Sequence, residues 1–185
     1  MDEPVVYRCY NCGACCGKLL IERQGVTKGL PLIPPETRLF EPRLVKPCFG
    51  VGEPGSRGFK VIGYQMTRNA CPHHRLGGCV VWAYRPAICR SYPFVPVISQ
   101  GLRVVKTLDL TCTALKPLAD RFEGRSVPLD DASLATEHEA YELVADITRT
   151  LLERLGDAWF YDLKTLRWVP FREMLPGAPR KGDGS

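Results

Sequence analysis

The sequence predicts a small α+β protein that combines antiparallel hairpins, one long helix near the C-terminus and cysteine-rich loops. Short β-branched and aromatic runs alternate with turn residues, which is typical of antiparallel strands. Apolar residues recur at helical spacing over one long stretch, residues 132–155. The 16 prolines and 17 glycines interrupt the other apolar runs. Something other than a large hydrophobic core must therefore hold the loops together.

The strand predictions follow the order of the chain. Residues 18–23 and 59–66 are candidate strands. The β-branched runs Phe94–Ile98 and Leu102–Leu108 flank the residues Ser99-Gln100-Gly101, which have the length and composition of a hairpin connection.

Two further segments lie outside those strands. Residues 159–161 and 167–169 predict a second hairpin. Five prolines fall within residues 30–47, so this stretch predicts a turn, or one helical turn around residues 35–40.

The long helical pattern begins at Ala132 and ends at Leu155. Thr136 and Glu139 have the spacing of a capping box, and Gly156 stands where a helix stop is expected. One face carries an apolar stripe that we expect to pack on the sheet, formed by Tyr141, Val144, Ile147 or Thr148, Leu151 and Leu155.

The length of 185 residues predicts a single domain, which we place at residues 1–176. It comprises a cysteine-rich core over residues 9–112 and the helix and hairpin over residues 132–171. Residues 177–185 are polar and rich in glycine and proline, which predicts a disordered tail.

Composition argues against nucleic-acid and membrane partners. The formal charge of +5 is dispersed along the chain rather than clustered. No segment approaches the ~18 apolar residues of a membrane span, and the acidic N-terminus lacks the features of a secretory leader. We expect a cytoplasmic protein, where thiols stay reduced and cysteine clusters indicate metal. The sequence contains few asparagine and glutamine residues, which is a tendency of thermophile proteins. Because thermophiles also form disulfides inside the cell, disulfide bonds between these cysteines stay open as an alternative.

Four of the nine cysteines form the run Cys9-x2-Cys12-x2-Cys15-Cys16. Two-residue spacers let successive thiolates reach one metal centre from one loop. Adjacent side chains on extended backbone point to opposite sides, so Cys15 and Cys16 suggest two centres that share this loop. The remaining ligands would come from Cys71, Cys79, Cys89 and Cys112. One centre with spare thiols is the alternative.

Several better-known motifs are absent. The bacterial ferredoxin run requires three residues before its fourth cysteine and a proline after it, and neither condition holds at Cys16. The radical-SAM spacing fails because residue 19 is leucine. The sequence also lacks a dinucleotide-binding glycine fingerprint, a Walker loop and an HExxH motif.

The first cysteine run and the block Cys79–Phe94 together resemble the CxxCxxCC family, also called the YkgJ-type cysteine cluster proteins. The resemblance implies a zinc- or iron-chelating domain that is often described as containing an iron–sulfur cluster. In the second block Trp82 takes the place of the family tyrosine, and the matching residues are Cys79, Arg85, Pro86, Cys89, Arg90, Tyr92, Pro93 and Phe94.

The resemblance also bears on the remaining cysteines. Cys71 and Cys112 occupy positions where similar sequences carry further cysteines, whereas Cys48 has no counterpart. We therefore predict that Cys48 is a free thiol and that it tolerates replacement by serine with metal content and stability near those of the wild type.

Five residues lie next to the predicted ligands. His73 and His74 follow Cys71 and are predicted to be surface residues or supports of the ligands. Lys18, Arg85 and Arg90 are predicted to offset the negative charge of a thiolate-bound centre. The Arg85-Pro86 pair is equally consistent with a turn that orients the neighbouring cysteines.

The functional prediction is a cysteine-ligated metal protein, with one or two [4Fe–4S] clusters as the expected cofactor. Its role would be electron transfer, or redox or structural support for a protein partner. A non-redox zinc module that supports a partner is the alternative, because four thiolates suit zinc and iron–sulfur equally. Some flagellin lysine-methylating enzymes resemble this cysteine pattern, which makes a protein-modifying system a third possibility, although no methyl-donor loop is visible. The sequence assigns no catalytic residue.

Overall fold

A computed structural model of the chain describes residues 6–76, 78–109, 112–117 and 129–177. The predicted tail falls almost entirely outside these ranges. The α+β prediction is confirmed. In chain order the elements are β1 Ile21–Arg23, β2 Val26–Lys28, β3 Leu30–Leu32, β4 Val45–Val51, β5 Lys60–Met66, β6 His74–Arg75, β7 Gly78–Cys79, α1 Ala87–Arg90, β8 Phe94–Ile98, β9 Val104–Leu108, α2 Ala135–Glu153, β10 Ala158–Asp162 and β11 Arg167–Pro170.

The largest sheet has five antiparallel strands in the order β11-β10-β4-β5-β3. The pairs β1–β2, β6–β7 and β8–β9 form three separate two-stranded ribbons. Both predicted hairpins are confirmed, and the second strand of the first one begins at Val104 rather than Leu102. The prediction for residues 18–23 is confirmed over Ile21–Arg23.

The proline-rich stretch is only partly as predicted. A 3-10 helix spans Pro34–Leu39, in agreement with the predicted helical turn. On both sides, however, the chain forms strands β3 and β4, which the prolines had argued against. The sheet accommodates Pro31 because β3 is an edge strand, and it accommodates Pro47 because the register of β4 on β5 shifts between Pro47 and Phe49.

Helix α2 confirms the long helical pattern but not its predicted cap. The chain enters the helix through a 3-10 turn, Asp131–Leu134, and the Asp130 side chain accepts a hydrogen bond from the Ala132 amide at 3.2 Å. Thr136 and Glu139 lie inside α2, so the predicted capping box is wrong. The aspartate that precedes the 3-10 turn supplies the side-chain acceptor instead.

The apolar stripe of α2 contacts two separate cores. Tyr141 and Ala145 belong to the hairpin core, which also contains Tyr7, Phe94, Leu115 and Leu134. Leu151 belongs to the sheet core, which also contains Cys48, Phe49, Ala158, Phe160, Phe171 and Leu175. The helix therefore joins the β8–β9 ribbon to the five-stranded sheet. No helix in the described ranges has the length and hydropathy to cross a membrane.

Buried Gln65 ties the bulged strand to its neighbours. Its carbonyl oxygen accepts a hydrogen bond from the Gly29 amide at 2.8 Å. Its amide nitrogen donates to the carbonyls of Pro47 at 2.8 Å and Tyr161 at 2.7 Å. Because an unpaired buried amide is costly, these contacts fix the position of β4, which lies between the two cysteine blocks in the sequence.

Candidate metal centre

The eight cysteines predicted as ligands border one cavity of about 960 Å³, into which both cysteine blocks converge. They come from the N-terminal loop, the loop before β6, strand β7, helix α1 and the turn after β9. The bordering thiols belong to Cys9, Cys12, Cys15, Cys16, Cys71, Cys79, Cys89 and Cys112.

The N-terminal loop turns tightly at Gly13, whose φ of 76° lies in the left-handed region. The Gly13 carbonyl accepts the Cys16 amide at 2.9 Å and closes a 3-10 turn over Ala14–Cys16. The His74 ring packs directly on this glycine, because a Cβ added there would lie 2.0 Å from His74 Nε2. His74 is thus exposed on one side and supports the ligand loop on the other.

Asn11 makes a second link between the loop and the β6–β7 ribbon. Its Oδ1 accepts a hydrogen bond from the Cys79 amide at 3.0 Å. A Cβ added at Gly78 would lie 1.9 Å from Asn11 Nδ2, so only glycine leaves room for this side chain. Sequence reasoning missed Asn11, and the one available signal is its position between Cys9 and Cys12.

The thiols of Cys15 and Cys16 in the N-terminal loop interact with the thiol of Cys71 in the loop before β6. The Cys16 thiol shares hydrogen bonds with the thiols of Cys15 and Cys71. These bonds favour a thiolate at both neighbours, so the pKa of Cys15 and of Cys71 lies below the usual range, while the pKa of Cys16 is raised. The Cys71 amide also donates to the Cys16 carbonyl at 2.8 Å. Because metals bind thiolates, the protein favours the binding form at two of these three positions.

Cys89 lies on α1, whose first turn is held by the buried carboxylate of Glu36. Glu36 is 8% exposed, and its two oxygens accept the Ala87 amide at 2.6 Å and the Ile33 amide at 3.0 Å. Burial raises the pKa of Glu36, and the Arg90 guanidinium lowers it in part. Sequence reasoning missed this contact because it joins residues far apart in the chain.

Arg85 is a cation of the second block whose charge acts on several thiols. Its guanidinium lies 3.6 Å from the centroid of the Trp82 ring. Burial raises the pKa of Cys89 above its usual range, as do neighbouring thiols, whereas Arg85 lowers it. Arg85 also lowers the pKa of Cys15. Its charge therefore acts on thiols from both blocks, consistent with the predicted role.

Two hydroxyl groups lie beside thiols of the cavity, that of Thr113, which borders the cavity, and that of Tyr7 in the hairpin core. The Tyr7 hydroxyl lies 3.7 Å from Cys112 Sγ, and Thr113 Oγ1 lies 3.0 Å from Cys12 Sγ. Burial is the main reason that the pKa of Tyr7 is raised, so its hydroxyl stays protonated and able to donate to sulfur.

Residues 8–113 match the model of the CxxCxxCC family, whose description reads "Putative zinc- or iron-chelating domain". The chain belongs to the CxxCxxCC family. No curated protein and no solved structure matches the chain. Metal binding is thus the function that membership of the family supports.

The donor set fits the metals that the CxxCxxCC description names. Thiolates are the ligands of structural zinc and of iron–sulfur clusters, and eight of them border one cavity. Within the described ranges, however, no three Cys, His, Asp or Glu side chains are grouped so that they could hold a metal ion as they stand. The cysteines therefore match zinc and iron–sulfur in donor type and location, and metal binding requires their thiols to move closer together.

In this CxxCxxCC chain, His73, the remaining histidine His138 and the ninth cysteine, Cys48, make contacts of their own. His73 Nε2 lies 2.6 Å from the Leu39 carbonyl, and its ring packs 5.0 Å from that of Phe40. His138 bridges Lys106 and Asp131 at the start of α2. Cys48 is fully buried in the sheet core and does not border the cavity, and burial raises its pKa to about 12.

Proposed function

We propose that this protein binds one or two [4Fe–4S] clusters, each held by four thiolates, with ligands drawn from the eight cysteines that border the cavity. Its role is electron transfer, or redox or structural support within a larger enzyme system of the cytoplasm. The observation that supports the proposal is the convergence of both cysteine blocks on one cavity of about 960 Å³. When bound, such a cluster supplies reversible one-electron chemistry.

The eight cysteines can supply two four-thiolate sets. Cys15 and Cys16 are neighbours in sequence, and each borders the cavity. The extended backbone expected at these two residues is not found, because both lie in the 3-10 turn Ala14–Cys16. Two centres that share the N-terminal loop stay our first choice because eight thiols are twice the number that one centre requires, and one centre with spare thiols is the alternative. Arg85 supports either arrangement because it offsets the charge of thiolates from both blocks.

Zinc is the second candidate. Four thiolates in tetrahedral arrangement suit zinc and iron–sulfur alike, and the family description names zinc first. A zinc-bound protein would be a structural module that supports binding to a partner, without redox chemistry.

Anaerobic purification separates the two candidates. We expect brown protein with a broad absorption band near ~400 nm from thiolate-to-iron charge transfer, together with iron and acid-labile sulfide in about equal amounts. Reduction with dithionite should bleach this band. Colourless protein that carries stoichiometric zinc and no sulfide would overturn the proposal in favour of the zinc module.

A further inference from the structure

Large apolar side chains next to the ligands are exposed to solvent. Tyr10 follows Cys9 and is 73% exposed, Leu76 lies between Cys71 and Cys79 and is 107% exposed, and Trp82 is 40% exposed. Large apolar side chains usually lie inside, so a local concentration of exposed ones indicates an interaction surface. We call Tyr10, Arg75, Leu76, Trp82 and Arg85 the loop rim.

The two segments of the chain that contain the loop rim carry charge of one sign only. Residues 8–18 and 71–90 contain no aspartate or glutamate, and their cations are Arg8, Lys18, Arg75, Arg85 and Arg90. Helix α2 shows the opposite balance, with the acidic residues Glu137, Glu139, Glu142, Asp146 and Glu153 against one arginine, Arg149. The cations of the chain are dispersed, but these two thiol-bearing segments contain no acidic residue to balance theirs.

The residues of the loop rim border the thiol cavity or a smaller cavity beside it. Tyr10, Trp82 and Arg85 border the thiol cavity directly. Arg75 and Leu76 border a smaller adjoining cavity together with Cys12. The Asn11–Cys79 and Gly13–His74 contacts described above hold the two segments side by side, so the rim is one surface.

We propose that the loop rim docks a small electron-transfer protein that presents an acidic surface. This inference rests on the proposed iron–sulfur function. Tryptophan, tyrosine and arginine are the residues that dominate binding hot spots, and the rim contains all three next to the thiols. The absence of any carboxylate from both rim-bearing segments selects an acidic partner, because complementary charge steers encounter and like charge opposes it.

The transfer itself involves one electron. A reduced flavodoxin is a suitable probe because it is acidic and carries a flavin hydroquinone. The hydroquinone anion loses one electron to become the neutral semiquinone, and an oxidised cluster gains that electron, so no further reactant is needed. Electron-transfer complexes are typically small and transient, which matches a surface of a few exposed side chains.

Stopped-flow mixing of reduced flavodoxin with oxidised, cluster-loaded protein tests the proposal. We expect the second-order rate constant to fall at least ~10-fold between low and high salt, since steering by charge is screened. Arg75→Glu should lower the rate at low salt several-fold, and Leu76→Ser should lower it at every salt concentration. The matched controls are Lys164→Glu and Leu166→Ser in the turn between β10 and β11, where both side chains are exposed and border neither cavity.

Iron, sulfide and dithionite bleaching are measured first on each sample. If the cluster is absent, the proposed function and the docking inference fall together. If dithionite bleaches the cluster but flavodoxin transfer is absent, insensitive to salt, or reduced equally by rim and control variants, the docking inference alone is refuted. Sedimentation that shows a dimer broken by Leu76→Ser, without salt-dependent transfer, would also refute it by making the rim a contact between two copies of this chain.

Discussion

The buried carboxylate of Glu36 gives a quantitative test of how the second cysteine block is held. Glu36→Gln preserves size but offers one acceptor to two amides, those of Ile33 and Ala87. One buried amide then faces the NH₂ group, which costs about 1–3 kcal/mol. Glutamine is uncharged, so the variant avoids the cost of burying a carboxylate, which is the cost that raises the pKa of Glu36. This gain offsets part of the loss. We expect a net loss of about 1–2 kcal/mol in the free energy of unfolding at pH 7.

The pH dependence of this difference has a definite sign. Burial raises the pKa of the folded Glu36 carboxyl, so the folded state binds this proton more tightly than the unfolded state does. The stability that this proton provides is present below the unfolded pKa of ~4.3 and is lost as the pH rises through the folded pKa. The advantage of the wild type over Glu36→Gln should therefore grow as the pH is lowered.

Urea unfolding of both proteins without oxygen, followed by circular dichroism at pH 7 and pH 5, measures these quantities. Glu41→Gln is the control, because Glu41 pairs with Arg43 on the surface and its side chain is 61% exposed, which predicts at most a few tenths of a kcal/mol. Chelator should also strip metal faster from Glu36→Gln, since α1 carries Cys89. Equal stability of Glu36→Gln and wild type at both pH values would refute this account of the α1 contact.

Three further predictions concern the cavity and its surroundings. Cys89→Ser should lose metal or bind it weakly because serine is a poor ligand, and full retention by atomic absorption would remove Cys89 from the ligand set. Cys48→Ser should keep its metal yet lose about 1–3 kcal/mol of stability, measured by urea unfolding, because a hydroxyl would be buried in the sheet core; this revises the sequence-based expectation of unchanged stability. Gly13→Ala should displace the His74 ring and lower metal affinity about 10–100-fold, whereas Gly17→Ala, with open space around its Cα, should match wild type in a metal competition titration.

Local patterns predicted the parts of the fold that depend on neighbouring residues. The β8–β9 hairpin follows from two β-branched runs and a short turn, and α2 follows from apolar spacing. Strand β4 was missed because its proline argues against a strand, and its pairing partners β5 and β10 come later in the chain. The bulge at Pro47 cannot be inferred from a local pattern, because it depends on pairing with strands that are distant in the sequence.

At the candidate site, too, sequence patterns predicted the residues themselves but not the contacts between distant parts of the chain. Cysteine spacing, together with the resemblance to the CxxCxxCC family, predicted eight residues that all border one cavity, and whether each binds metal stays a prediction. The supporting contacts were not predicted, because they join residues that are distant in sequence: Glu36 is 51 positions from Ala87, and Asn11 is 68 positions from Cys79. Such contacts depend on the completed tertiary structure rather than on residue type or spacing.

The position of β4 between β5 and β10 has a consequence for biosynthesis. Residues 8–113 carry every thiol, but β4 lacks its second neighbour until Ala158–Asp162 has been made. The hairpin core likewise needs Tyr141 and Ala145 of α2. At ~5–20 residues per second, the roughly 50 residues after Cys112 leave the thiols without their supporting elements for several seconds.

We therefore expect metal to enter after translation of β10 rather than as the cysteines emerge. Pulse labelling with a thiol reagent during synthesis checks this, since chains arrested before residue 158 should react at all their cysteines and completed, metal-loaded chains should not. Protection of the thiols in the arrested chains would show that the cysteine segment folds around metal unaided. On this view helix α2 and strand β10 delay metal binding, because they complete the supports of the site only after the cysteine-bearing segment has been made.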